Sequence, residues 1–191
     1  MKLRLLLVAL VASCASDPAP SQSGFGLGES IPEYNRDDWG RWMDADKDCQ
    51  DTRQEVLIAE STVPVTFTDE KHCRVAKGRW VDPYTGEIFE DPSAMEIDHT
   101  VALREVHYAG GWAWPPEKKR AYYNDLSNPH HLVAAGVSAN RSKGARAPDT
   151  WMPPDPKSRC AYIVRRLSVF LAWQIEFDRA AAIEQLLKEC K

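Results

Sequence analysis

What this sequence lacks narrows it before any motif is read. No apolar run is long enough to span a bilayer, no internal repeat recurs, and neither an HExxH pattern nor paired-cysteine CxxC spacing is present. A membrane-spanning helix, a repeat solenoid and the commonest zinc sites are set aside on those grounds. Positive charge is also in short supply: 24 Lys and Arg stand against 28 Asp and Glu, a net charge of −4. That is the wrong balance for a protein that coats nucleic acid through bulk charge. The distribution differs from the total, however. Residues 15–96 carry 8 basic and 18 acidic side chains, whereas 97–170 carry 11 basic and 6 acidic. A basic middle can serve a polyanionic ligand inside a chain that is acidic as a whole.

The first residues read as a leader. Lys2 and Arg4 precede an apolar run from Leu5 to Ala12, so 1–13 is a signal peptide. Val11, Ala12 and Ser13 before Cys14 resemble the bacterial lipoprotein processing box. That resemblance implies lipidation of Cys14 and attachment to a membrane from the exported side, without a spanning helix. Ordinary signal-peptidase cleavage nearby is the alternative. Residues 14–33, rich in Ser, Pro and Gly, form a flexible tether, and a single domain of suitable size follows over 34–191. Five cysteines are present, and setting Cys14 apart leaves Cys49, Cys73, Cys160 and Cys190. An even set suits an oxidising compartment. Of the three pairings, order along the chain favours Cys49–Cys73 with Cys160–Cys190. The second pair has a geometric basis: 157–176 and 178–190 read as antiparallel helices whose far ends carry Cys160 and Cys190.

Along the domain, Asp51 or Thr52 caps a helix over about 53–61, and 63–68 and 73–80 read as strands. Residues 82–86, "DPYTG", form a turn leading to another short strand. The stretch "EIDHTVAL" (96–103) reads as a strand with an Asp and a His at its centre, two groups that are costly to bury unpartnered. Residues 104–130 are loop and short helix, "HLVAAG" (131–136) is a second strand, and "SANRSKG" (138–144) is a short helix capped by Ser138 and closed by Gly144. If Asp98 and His99 serve one site, the strand must end or turn near them, because neighbours on a regular strand face opposite ways.

Asp98, His99 and Asn140 suit phosphodiester hydrolysis. An imidazole near neutral pKa can activate water, and carboxylate and amide oxygens are hard ligands for Mg²⁺ or Mn²⁺. "EIDHTVAL" followed by "HLVAAGVSANRSKG" resembles the HNH, or His-Me finger, endonucleases with a ββα-metal core. Within them it is most like the GmrSD-type branch and secreted bacterial HNH-family proteins. Further similarity lies in "DADKDCQDTRQEVL", "GRWVDPYTG", "YYNDLSNPHHLV" and "WMPP". The resemblance implies an α+β fold with its ββα core at about 95–145, an acidic N-terminal α+β part and a C-terminal helical hairpin. It implies His99 as general base, Asp98 and Asn140 as metal ligands, and Arg141 and Lys143 as phosphate contacts. The central Asn of the HNH pattern is replaced, so either His131 or Asn128 braces the site. Glu96 shares a strand face with Asp98 as a candidate extra ligand. The ion expected is Mg²⁺ or Mn²⁺, with Zn²⁺ or Ni²⁺ also found in such sites.

The function expected is an exported, monomeric, metal-dependent endonuclease acting on DNA in preference to RNA, with little sequence specificity. Its rival is an HNH-fold surface or periplasmic lipoprotein that has lost turnover and acts by binding. The loop 44–55 places acids at 44, 46, 48 and 55 as an EF-hand loop does, but Cys49 stands where that loop wants Gly. An acidic, helix-capping loop pinned by a disulfide is the reading preferred over a Ca²⁺ site.

Overall fold

Asp51 is the cap used by the first helix. In the computed structural model, which describes residues 30–191, its carboxylate accepts the Gln54 N–H at 3.1 Å. The helix α1 runs Thr52–Glu60 and buries Val56 and Leu57. The strands that follow are shorter than their apolar runs. β1 (Thr66–Phe67) pairs antiparallel with β2 (Val75–Lys77). The segment 73–80, expected as one strand, breaks at Gly78 because the Trp80 indole folds back over that backbone. A Cβ at Gly78 would meet the ring at 2.6 Å. β3 (Trp80–Val81) therefore pairs separately with β4 (Ile88–Phe89), across a turn in which Gly86 takes φ +73°.

The stretch 96–103 does not stay extended. β5 is Met95–His99, and after a bend α2 runs Leu103–Tyr108. Leu103, Val106 and His107 are buried at helical spacing, which is where the second half of that apolar run belongs. α3 follows at Pro116–Tyr123, and β6 (Leu132–Gly136) returns antiparallel to β5, with Ile97 opposite Ala134 and His99 opposite Leu132. α4 (Val137–Lys143) grows directly out of β6 and packs on both strands. Its cap is Gly136 rather than the expected Ser138, and the Gly136 N–H is taken by Asp82 Oδ2 at 2.8 Å. Gly144, at φ +55°, ends it as expected.

The β5–β6 pair is buried on both faces. Met95, Ile97, Leu132 and Ala134 pack with Val56, Leu57 and Trp80, while Val133 and Ala135 pack with Tyr84, Trp151 and Tyr162. A third cluster gathers Trp39, Val106, Tyr122 and Phe170. The last two helices, α5 (Pro156–Trp173) and α6 (Arg179–Glu189), form the hairpin, with Gln174 left-handed at the end of α5 and Asp178 capping α6. Both disulfides, Cys49–Cys73 and Cys160–Cys190, are formed. The chain is α+β. The expected signal peptide and Cys14 lie outside the described residues. The tether expected to reach residue 33 ends earlier, since the Pro32 carbonyl is bound by His107 Nε2 at 2.8 Å.

One carboxylate is built into this frame. Glu60 Oε2 accepts the Ala134 N–H at 2.6 Å, and burial lifts its pKa from 4.5 to about 7. Ionising it costs the native state more than the unfolded chain. Its contribution to stability is therefore full below about pH 4.5 and is lost as the pH rises through about 7. Glu60→Gln should stabilise the protein at pH 8 by roughly 1–3 kcal/mol and flatten that slope, measured by urea unfolding across pH. An unchanged slope would remove Glu60 as its source.

Candidate functional site

Because β5 is covered on both sides, each polar group on it needs a partner, and the two faces supply different ones. Glu96 and Asp98 lie on the face covered by α4, and His99 lies on the other, at the strand's end. Asp98 is buried, and Lys143 Nζ reaches its Oδ1 at 2.9 Å, while the Tyr84 hydroxyl donates to Oδ2. The same ammonium donates to the His99 carbonyl at 3.0 Å. Burial pushes the Asp98 carboxyl up, against the opposing pull of Lys143 and Tyr84.

Two expected roles change here. Lys143 is completely buried and spends its charge on Asp98 instead of presenting it to a phosphate. Asp98 accepts a bond on each oxygen, from the Lys143 ammonium and the Tyr84 hydroxyl. One turn earlier on α4, Asn140 and Arg141 meet a second carboxylate, Glu96. Asn140 Nδ2 lies 2.9 Å from Glu96 Oε2, and Arg141 donates through Nε and Nη2 to Glu96 Oε1 at 3.2 and 3.0 Å. Arg141 is largely exposed, so it can leave that carboxylate for another anion.

His99 is held by backbone. Its Nε2 lies 3.0 Å from the Tyr123 carbonyl, and a carbonyl only accepts, so Nε2 carries the proton and Nδ1 keeps its lone pair. Nδ1 has no partner among the described residues. Burial, reinforced by His131, pushes the imidazole pKa well below 6.5, so the ring is neutral at pH 7. The rings of Trp42 and Tyr122 lie parallel to it, at centroid distances of 5.5 and 6.0 Å.

The two brace candidates act differently. His131 is buried and its Nε2 binds the Tyr122 carbonyl at 2.6 Å, next to the carbonyl that orients His99. Its backbone oxygen accepts the Thr100 N–H. Burial lowers the His131 pKa to about 4. Asn128 shapes the turn before it, accepting the His130 N–H on Oδ1 and the His131 N–H on its own carbonyl.

His99, Asp98, Asn140 and Arg141 line one open cavity of about 350 Å³, together with Arg36 and Arg104. Tyr84, Trp42 and the Tyr122–Tyr123 carbonyls were not legible as site groups, since they lie in a turn, a polar segment and a loop helix. In the acidic loop, Asp44 accepts the N–H groups of Lys47, Asp48 and Cys49. It behaves as the turn-forming group that the disulfide-pinned reading describes, and Cys49 takes φ +77° where an EF-hand loop has Gly.

No protein-family model matches the chain, and no solved structure matches it. It is similar to a protein of Arthroderma benhamiae named as an uncharacterized secreted protein, 29% identical over 159 residues, or 82% of this chain and 76% of the relative. That relative and the two disulfides both support export of this chain.

Lys143→Met leaves the Asp98 charge buried without its cation and should cost about 3–5 kcal/mol in urea unfolding at neutral pH. Adding Asp98→Asn should recover most of that loss. A single-variant loss below about 1 kcal/mol would show that the pair does not hold the strand end.

Proposed function

We propose that this chain is an exported, metal-dependent endonuclease of the HNH type, hydrolysing DNA phosphodiesters with little sequence preference. One observation carries the reading. The Tyr123 carbonyl fixes His99 as the Nε2–H tautomer, which leaves Nδ1 as a base in the cavity that Asn140 and Arg141 also line. The two antiparallel strands followed directly by α4 are the order a ββα-metal core requires.

Glu96 and Asn140 would hold the ion through a carboxylate oxygen and an amide oxygen. Asn140 Nδ2 lies 2.9 Å from Glu96 Oε2, and a half-turn of that amide would present Oδ1 there in place of Nδ2. Mg²⁺ or Mn²⁺ suits such oxygens, and when bound it offsets charge on the phosphate and leaving oxygen. His99 Nδ1 takes the proton of the attacking water, in line with the bond to the leaving 3′-oxygen. Cleavage then leaves 5′-phosphate and 3′-hydroxyl ends. The neutral, desolvated imidazole is ready to accept, and an anionic phosphate beside it favours the protonated form that results. Arg141, released from Glu96, turns to the phosphate. Lys143 and Asp98 keep the strand end in register. At the N-terminus, lipidation of Cys14 would anchor the enzyme to a membrane surface.

A plasmid-nicking assay with the purified, disulfide-bonded protein should show cleavage with Mg²⁺ or Mn²⁺ and none in EDTA. His99→Ala should lower the rate by about 10²–10⁴-fold while keeping the near-UV circular dichroism of the parent. Glu96→Gln should raise the Mn²⁺ concentration needed for half-maximal rate. Protein inert with every ion would favour the binding-lipoprotein reading, and full activity in His99→Ala would end the base assignment. For the anchor, Cys14→Ser should move the protein from membranes to the soluble fraction; unchanged fractionation would end that assignment.

A further inference from the structure

The cavity at His99 has a neighbour. A second cavity of about 360 Å³ is lined by Trp42, Arg53, Glu96 and Asn140. The two share Arg36, Ile97 and Asn140 as a common wall. Charge in both is lopsided. Asp98 lines the first and is neutralised by Lys143; Glu96 lines the second and is held by Asn140 and Arg141. With Arg141 paired to Glu96, what remains is cationic: Arg104 on one side, Arg53 on the other, and Arg36 at the joint. Arg53 is positioned by its own backbone contacts, with Nη2 donating to the Pro92 and Met95 carbonyls at 2.9 and 3.0 Å. Its remaining donors have no side-chain or backbone partner among the described residues. Arg36 is steadied by the Tyr123 hydroxyl at 3.0 Å. Tyr123 is the residue whose carbonyl orients His99, so the joint and the base are registered to one side chain and its backbone.

We propose that Arg36 and Arg53 bind backbone phosphates flanking the scissile one, so that the substrate is a polynucleotide strand laid across both cavities and not a single nucleotide. This rests on the nuclease reading above. Neither arginine belongs to the strand–strand–helix unit; both come from the acidic N-terminal part, which thereby completes the substrate groove. Guanidinium forks suit phosphate oxygens, and each phosphate contact releases counterions from the strand.

Fluorescence anisotropy of a labelled DNA oligonucleotide, run in EDTA between 50 and 200 mM NaCl, tests this against the same protein's plasmid nicking with metal. Arg36→Gln should weaken binding roughly tenfold and lower the slope of log affinity against log salt by about one. Arg36→Lys, which keeps the charge, should restore most of the slope. If the parent binds and nicks but Arg36→Gln matches it in affinity and slope, the groove is overturned and the nuclease reading stands. If Arg36→Lys is as impaired as Arg36→Gln, the residue acts by packing on Tyr123, which also overturns the proposal. A parent that neither binds nor nicks overturns the nuclease reading and this inference together.

Discussion

The ion pair between Asp98 and Lys143 is the interaction on which the middle of this molecule depends. It joins β5 to α4, and through the Tyr84 hydroxyl it joins both to the turn between β3 and β4. The same ammonium holds the His99 carbonyl, so the strand's last residue is fixed from behind. Such a pair adds little net stability over apolar residues of the same shape, because removing both charges from water costs about what their attraction returns. It acts on alternatives. Shifting β5 by one residue against β6 would send Asp98 into the cluster of Leu57, Trp80 and Leu132, where no cation waits. The register that places His99 at the strand's end is the one in which no charge is stranded.

His99 poses the opposite problem. A buried imidazole is neutral and could carry its proton on either nitrogen. The long connection from α2 to β6 resolves this. It brings two successive carbonyls, Tyr122 and Tyr123, onto His131 and His99. The two imidazoles lie edge to face, with centroids 5.7 Å apart. Neither can turn without freeing a backbone acceptor in a place water does not reach. Bracing by His131 is thus indirect: it secures the peptide that chooses the tautomer of its neighbour.

Much of the frame was legible because it rests on local chemistry. An Asp before an apolar-periodic segment makes a cap, a Gly after "NRSK" makes a helix end, and antiparallel helices carry their outer cysteines together. The strand ends at His99, where a shared site for Asp98 and His99 would require it to end. What was not legible is long-range. Lys143 reads as an accessible phosphate contact because lysine seldom lies fully inside, and only the approach of α4 to β5 buries it. Trp42 reaches His99 from 57 residues upstream, and Tyr84 sits in what looks like an ordinary turn. The start of the helix at 103–108 was misplaced for a local reason, since Val101, Ala102 and Leu103 are three apolar residues in a row that suit either period, and the chain bends at Thr100 before the helix begins.

The acidic N-terminal half stands against the proposed polyanionic ligand by its charge alone, but several of its carboxylates are turned to other work. Asp44 folds around three backbone N–H groups, Asp51 caps α1, Asp82 holds the Tyr84, Thr85 and Gly136 amides, and Asp91 caps the turn before β5. Those carboxylates shape turns, and their fields are screened within about 8 Å at physiological salt. The arginines of the same half, Arg36 and Arg53, are held instead at the cavities beside Glu96 and Asn140. Net charge counts both sets equally, whereas a phosphate in the proposed groove would meet mainly the second. The sign of the whole chain is therefore a poor guide to the ligand that a local site can take.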